Sequence, residues 1–408
     1  MKSLGLVVEY NPFHNGHLFH LQQAKKTSNA DVTVAVMSGN FLQRGEPALV
    51  SKWTRTRMAL EAGVDLVVEL PYAFATQRAD RFAYGAITIL NALKTDEVIF
   101  GSESGNIRPF NETVDFLNKN EEEYNLLIQE KVKSGVSYPS ATSEAFKQLS
   151  NRPQETIDLS KPNNILGYHY VQSIRQIHSN MKANTIQRTG AGYHDEGVGV
   201  NNIASATGIR KMLFEHGSDL SAITSYVPKS TLNRLQDHFN SFGHFLNWDR
   251  FFLLLKHRLI TSTPEELRDI YDCEEGLENR LKEYITQAED FTSFMQSVKT
   301  KRYTWTRIQR LCTHILTNAK KNTMERALTE PPTYIRLLGM TETGQHYLSG
   351  IKKDLNLPLV STLSKYKDPF FELDKQSTNT YILGFPYKAQ KVLYKQEYSN
   401  TPIRLHQK

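Results

Sequence analysis

Two histidines set around one glycine near the start of the chain are the residues best placed to do chemistry. The segment Val7-Val8-Glu9-Tyr10-Asn11-Pro12-Phe13-His14-Asn15-Gly16-His17 puts an H-x-G-H motif between a short apolar run and a stretch of helical rhythm. Pro12 forces a turn, and Gly16 lets backbone approach a ligand closely. The helix that follows starts with free N–H groups and the positive end of its dipole facing the loop, which favours phosphate. His14 and His17 can donate hydrogen bonds to phosphoryl oxygens as charge builds up in an in-line displacement. The motif therefore reads as a site for the triphosphate of ATP, with attack at the α-phosphate.

A second set of candidates is scattered down the chain. Ser205-Ala206-Thr207-Gly208-Ile209-Arg210 combines two good N-cap hydroxyls, Ser205 and Thr207, with a helix expected over residues 209–216 and a fixed positive charge on Arg210. Gly101 either gives a nucleotide close backbone access or makes a simple turn. Asn163 either hydrogen-bonds the adenine or ribose or caps a helix starting at the next residue. Arg188 suits a phosphate, a carboxylate or a surface ion pair. Lys52, Arg55 and Arg57 form a basic cluster after the Gly45-Glu46-Pro47 turn, suited to closing over pyrophosphate or to guiding RNA. The histidines are dispersed, and H-x-G-H lacks the i, i+4 spacing that puts two metal ligands on one helix face, so no protein-held metal is expected. Mg²⁺ is expected as the companion of ATP, held mostly by phosphate and water.

H-x-G-H after the first strand resembles the nucleotidyltransferase superfamily, and residues 205–210 resemble that superfamily's S-S-T-x-I-R motif, which holds β- and γ-phosphates at a helix start. Longer strings narrow the likeness. G-L-V-V-E-Y-N-P-F-H-N-G-H at 5–17, M-S-G-N-F-L-Q-R-G-E-P-A at 37–48, V-E-L-P at 68–71, F-G-S-E at 100–103, P-N-N-I-L-G at 162–167 and G-A-G-Y-H-D at 190–195 resemble the tRNA(Met) cytidine acetate ligase family. They cover most of residues 1–215, and the likeness beyond is looser. The resemblance implies ATP-dependent activation of acetate to acetyl-adenylate. The acetyl group then passes to N4 of the wobble cytidine (C34) of elongator tRNA(Met), giving N4-acetylcytidine.

Motifs and resemblance together set the expected site. His14 and His17 are the catalytic pair. ATP is expected to meet Val7, Val8, Glu9, Tyr10, Asn11, Pro12, Phe13, His14, Asn15, Gly16, His17, Leu18, Phe19 and His20, together with Gly101, Asn163, Arg188, Ser205 and Thr207. The residues alone leave a rival open, a small-molecule nucleotidyltransferase that passes AMP or CMP to a phosphorylated cofactor precursor. An acetyl-CoA-dependent route would need no α-phosphate site.

Those residues need a frame. Strands are expected over residues 4–9, 32–38, 66–69, 98–100 and 184–188, and helices over 17–27, 54–61, 79–93, 111–133, 140–149 and 164–178. The alternation points to an α/β fold: a Rossmann-like nucleotidyltransferase domain with a parallel sheet covered on both faces. Ligands of such sheets bind beyond the carboxyl ends of the strands. Five strand ends carry polar or glycine-rich turns: the H-x-G-H loop, Ser38-Gly39-Asn40, Glu69-Leu70-Pro71, Gly101-Ser102-Glu103 and Arg188-Thr189-Gly190. The rest reads as mainly helical, with Thr263-Pro264-Glu265-Glu266 marking one helix start and candidate short strands over 332–338 and 381–383. The expected division is a catalytic ATP-binding domain over 1–220 and a basic tRNA-binding domain over 221–408.

The 408 residues, 39% hydrophobic and 23% charged, allow two or three domains with ample core. No apolar stretch approaches the length of a membrane span, and the N-terminus lacks a signal-peptide pattern, so a cytoplasmic protein with no membrane partner is expected. Cys273 and Cys312 offer no disulfide framework. Charge is unevenly placed. Residues 1–215 balance at 22 basic and 22 acidic, whereas 291–408 hold 19 Lys and Arg against 8 Asp and Glu, a net +11. Aromatics interleave that surplus, which suits RNA and leaves the small-molecule rival with an unexplained module. The expected tRNA contacts are Lys301, Arg302, Tyr303, Arg307 and Arg310. The cations neutralise phosphates, and Tyr303 or Trp305 stacks on an unpaired base. Arg310 lies three places after Arg307, on the same helix face. No protein partner is implied.

Overall fold

A computed structural model of the chain describes residues 1–188, 202–274, 276–363 and 366–406. Strands β1 (Ser3–Val8), β2 (Val32–Ser38), β3 (Leu66–Leu70), β4 (Glu97–Ser102) and β5 (Lys182–Gln187) lie in the order β5-β4-β1-β2-β3. Every pairing among them is parallel. β2 and β3 are buried along their whole length, which is why they read as unbroken apolar runs rather than as alternation. The chain lays down β1, β2 and β3 in one direction, then returns to the other side of β1 for β4 and β5. That reversal opens a crevice beyond the carboxyl end of β1, where sheets of this kind bind ligands. Val7 and Val8 reach its mouth and are the partly exposed end of an otherwise buried strand.

The expected elements are present, with small shifts at their ends. One correction concerns residues 111–133, which form two helices, Arg108–Lys119 and Glu121–Lys133. Asn120 parts them, its side-chain amide donating to Phe116 O at 2.8 Å; such local bonds compete with helix continuation.

The later part of the chain is mainly helical, and it also extends the sheet. β6 (Ile335–Thr341) runs antiparallel to β3, while β7 (Leu359–Val360) and β8 (Ile403–Leu405) pair with β6 in parallel. The candidate strand over 332–338 is thus present, shifted to β6. The candidate over 381–383 is not a strand, because Tyr381 and Ile382 close the Phe371–Ile382 helix. Its buried residues Phe371, Asp374, Thr378, Tyr381 and Ile382 follow the helical period, and Tyr381 Oη donates to Ala48 O at 2.9 Å. One hydrophobic cluster joins Val34 and Val68 of the parallel strands to Phe251, Leu311 and Leu337 from far downstream. Residues on both sides of position 220 therefore share a sheet and a core. Among the described residues no helix is long and apolar enough to cross a membrane, and Cys273 and Cys312 are buried free thiols.

Candidate nucleotide site

β1 ends at Val8, and Tyr10 turns the chain with a left-handed φ of 50°. That conformation costs about 1–2 kcal/mol. The buried Tyr10 ring offsets the cost by packing edge-on to Phe13 and His17, at 4.7 and 5.0 Å between ring centroids. His14 is the N-cap of the Asn15–Ser28 helix, its Nδ1 accepting from Gly16 N at 3.0 Å. With the Nδ1 lone pair committed to the backbone, a neutral ring carries its proton on Nε2. His17 stacks on His14 with ring centroids 3.6 Å apart. Gly16 is needed by this stack itself, since a Cβ there would stand 2.9 Å from His14 Cε1.

The rings of His14, His17 and His20 are neutral at pH 7. Burial holds His14 down at about 3, helped by the charges of Arg188 and Arg210. Burial, followed by His14 and Arg188, keeps His17 well below the usual imidazole range. Burial and Arg188 bring His20 to about 4. His17 Nδ1 and His20 Nε2 are buried with no hydrogen-bond partner among the described residues. Buried polar atoms are nearly always paired, so such orphans suit a ligand-filled cleft.

A second helix N-terminus meets the loop. Ser205 Oγ accepts from Gly208 N at 3.1 Å and caps the Ala206–Glu215 helix, so this helix starts three residues earlier than expected and Thr207 lies in its first turn. Ser205 and Thr207 are exposed. Arg210 donates to Asn11 O at 2.9 Å and pairs with Glu46. Asn15 Nδ2 donates to Asn202 O and Ser225 O, both at 3.0 Å. Asn11 Oδ1 accepts from Leu49 N at 2.7 Å, and Glu9 accepts from Gln43 N at 2.7 Å. Burial raises the Glu9 carboxyl. Phe13 is buried beneath the histidines and Leu18 packs against the same cluster, so these two, like Tyr10, support the loop from the core side.

Across β1, the end of β4 and the start of the Pro162–Gln176 helix form a polar floor. A Cβ on Gly101 would fall 3.2 Å from Arg188 Cγ and 3.7 Å from the His20 ring. Asn163 Nδ2 donates to Glu103 Oε1 at 2.8 Å, and Asn163 Oδ1 accepts from Arg188 Nη1 at 3.3 Å. Glu103 Oε2 accepts from Asn164 N at 2.9 Å, so a carboxylate rests on this helix N-terminus. Burial lowers the Arg188 guanidinium from its ordinary value, and Glu103 opposes that shift. The expected site residues on either side of β1 are thus brought to one crevice. Glu103 and Glu46 were not candidates. Nothing local distinguishes a strand-end glutamate that meets a helix some 60 residues later. Thr189, Gly190 and the string at 190–195 lie outside the described residues.

Two of the basic candidates have other work. Lys52 is buried and pairs with Glu69 and Glu397, both at 2.8 Å. Arg55 is fully buried and donates to Glu9 O at 2.7 Å, Ser38 O at 3.0 Å and Gly39 O. Neither closes over pyrophosphate or guides RNA; they hold the strand ends together. Arg57 is exposed and lines a separate cavity with Arg234 and Arg404. Among the expected RNA contacts, Lys301 and Arg302 are exposed and Arg307 is partly buried. Arg310 is buried, 8% exposed, and its backbone lies where a Gly45 Cβ would clash at 2.6 Å. It points inward because the Trp305–Thr317 helix buries most of its surface. Tyr303 is also 8% exposed, with Arg307 over its ring at 5.1 Å, which leaves Trp305 as the more accessible aromatic.

A strand-end H-x-G-H loop between two helix N-termini, at the switch point of a parallel sheet, is the architecture of a nucleotidyltransferase. The family described as HIGH Nucleotidyl Transferase matches residues 1–397. Within that class, the chain belongs to the tRNA(Met) cytidine acetate ligase family. It is 49% identical over 404 residues to the tRNA(Met) cytidine acetate ligase of Geobacillus sp. (strain WCH70), covering 99% of this chain and 100% of that protein. Against the ligase of Bacillus subtilis (strain 168) it is 48% identical over 407 residues, covering 99% and 97%. The crystal structure of Thermotoga maritima TmcAL bound with alpha-thio ATP matches at a TM-score of 0.91 and 35% identity, with both chains fully covered. The apo form of the same protein matches at 0.92 and 36%.

Proposed function

We propose that this protein is an ATP-dependent ligase that activates acetate and acetylates N4 of the wobble cytidine (C34) of elongator tRNA(Met), in the cytoplasm. The observation that carries the reading is the stacked, neutral His14–His17 pair at the crevice mouth, flanked by two helix N-termini. In the first step an acetate oxygen attacks the α-phosphorus of ATP, the bond to the β-phosphate breaks, and pyrophosphate leaves. His14 Nε2–H and His17 donate to the α-phosphoryl oxygens as their charge grows. The Ala206–Glu215 helix N-terminus, with Ser205 and Thr207, holds the β- and γ-phosphates. Gly101, Asn163 and Arg188 receive the nucleoside end. Mg²⁺ arrives with the nucleotide and is held by its phosphates and water. In the second step cytidine N4 attacks the acetyl carbonyl carbon, AMP leaves, and N4 loses a proton.

The RNA is held by the basic later part of the chain. A cleft of about 660 Å³ lined by Lys299, Lys301 and Trp305 offers cations for phosphate and an indole for an unpaired base. The test is incubation with ATP, labelled acetate and total tRNA, followed by nucleoside analysis. Label is expected in N4-acetylcytidine. Pyrophosphate exchange that ignores acetate and responds to a phosphorylated cofactor precursor would instead make this a small-molecule nucleotidyltransferase.

A further inference from the structure

We propose that Glu103 sets base specificity by fixing the orientation of Asn163, so that the cleft takes adenine and rejects a 6-oxo purine. This rests on the ATP-binding reading above. Asn163 is caught between partners of opposite kind: a carboxylate only accepts and a guanidinium only donates. Its Nδ2 faces Glu103 at 2.8 Å and its Oδ1 faces Arg188 at 3.3 Å. Turning the amide over would set donor on donor and acceptor on acceptor. Glu103 is itself held. Its Oε2 takes Asn164 N at 2.9 Å, its Oε1 also lies 3.4 Å from Asn163 N, and its own N–H donates to Asn164 Oδ1 at 3.3 Å. The dipole of the Pro162–Gln176 helix favours a negative charge there.

With both contacts made, the Asn163 amide keeps one N–H and one oxygen lone pair. A donor beside an acceptor is the pattern that pairs with the N6 amino group and the N1 acceptor of adenine. Guanine and hypoxanthine present the reverse on that edge, an acceptor at O6 and a donor at N1. Glutamine at position 103 releases the arrangement. Both carboxylate oxygens are in use, one by the helix N–H and one by Asn163 Nδ2, and glutamine has one oxygen. The helix keeps that oxygen and the new NH₂ faces Asn163, so either orientation of the Asn163 amide now sets a donor on a donor, at the new NH₂ or at Arg188. Neither orientation is then fixed, and the free pair no longer discriminates adenine from a 6-oxo purine.

The experiment is equilibrium calorimetry of the full chain with ATP, inosine triphosphate and 2′-deoxy-ATP, without acetate or tRNA. Binding is read apart from the acetate reaction, so failure here is separable from failure of the proposed activity. Wild type is expected to prefer ATP over inosine triphosphate roughly ten- to a hundredfold. Glu103→Gln should erase that preference. Asn163→Ala should erase it too, and adding Glu103→Gln to Asn163→Ala should change the ratio no further. If Glu103→Gln does not fold, Asn163→Ala carries the test: an unchanged ratio there overturns the proposal. Three other results also overturn it. Equal weakening of both nucleotides by Glu103→Gln would make Glu103 a helix cap only. A ratio change that persists in the Asn163→Ala background would act by another route. Discrimination against 2′-deoxy-ATP without a base preference would put Asn163 on the ribose.

Discussion

A histidine that is neutral at pH 7 donates a hydrogen bond without adding net charge, so its interaction strengthens as charge develops on the phosphoryl group. Such a group favours the transition state over the bound substrate. His14→Ala or His17→Ala is therefore expected to lower acetate-dependent pyrophosphate exchange about 100- to 1000-fold, with a much smaller loss of ATP affinity. Equal losses in turnover and affinity would mean ground-state binding instead. The same burial gives a pH signature. His14 and His20 titrate at about 3 and about 4 in the folded chain, whereas an unfolded imidazole titrates near 6.5. As pH falls, the unfolded chain takes up protons first. The stability from these groups is complete above about pH 6.5 and is lost as pH falls towards 4 and then 3. Burial also lowers His238 to about 4 and His314 to about 3. Replacing His14 and His20 together by glutamine should thus flatten, without abolishing, the fall in melting temperature between about pH 7 and 4. An unchanged slope would contradict the neutral, buried rings.

At the scale of elements, the Trp305–Thr317 helix has two unlike surfaces. Inward, Gln309 Nε2 donates to Arg44 O at 2.9 Å and Thr313 Oγ1 to Gly45 O at 2.8 Å. That turn in turn supplies Glu46 to Arg210 and Gln43 to Glu9. Outward, the helix and the segment before it present Lys301, Arg302 and Arg307. The combined Lys301→Ala, Arg302→Ala, Arg307→Ala variant should weaken tRNA binding and reduce its salt slope by about 0.7–0.9 per lost phosphate contact. Acetate-dependent exchange should stay at the wild-type rate. Exchange that falls while tRNA affinity and salt slope hold would show that this surface serves the ATP cleft instead.

At the scale of the molecule, the H-x-G-H loop and the sheet that presents it do not share one stretch of chain. β6 covers the edge of β3, with Arg336 buried within it. Glu397 accepts from Lys52 Nζ at 2.8 Å and from Trp53 Nε1 at 2.8 Å. A chain ending at residue 220 would expose the β3 edge and leave Lys52 and Trp53 without that partner. It is expected to show no cooperative melt and no acetate-dependent exchange. A folded, active 1–220 fragment would overturn this account of the architecture. In the full chain, Glu397→Ala breaks a buried ionic cluster and should cost about 3–5 kcal/mol, read from the midpoint of chemical denaturation. A loss under about 1 kcal/mol would mean that Glu69 alone satisfies Lys52, within the range of an exposed pair.

The sequence by itself determined the parallel strands, the H-x-G-H loop at the end of β1 and the capped helix at Ser205. Each of these depends on short-range chemistry: apolar runs, a turn proline and a hydroxyl before a helix. Gly101, Asn163 and Arg188 were legible as candidates because strand ends and helix starts mark themselves locally. Only the tertiary structure decided what stands beside them. Lys52 and Arg55 read as a basic cluster for pyrophosphate or RNA, and became buried ties because Glu397 and three backbone carbonyls surround them. Arg310 read as a partner of Arg307, and turned inward because the Trp305–Thr317 helix buries most of its surface against the rest of the chain. Glu103 read as part of a turn, and holds Asn163 because the fold sets β4 against a helix far along the chain. A charge's role depends on which groups surround it and on whether water reaches it. Both are settled by contacts between residues distant in sequence, and no local pattern records them.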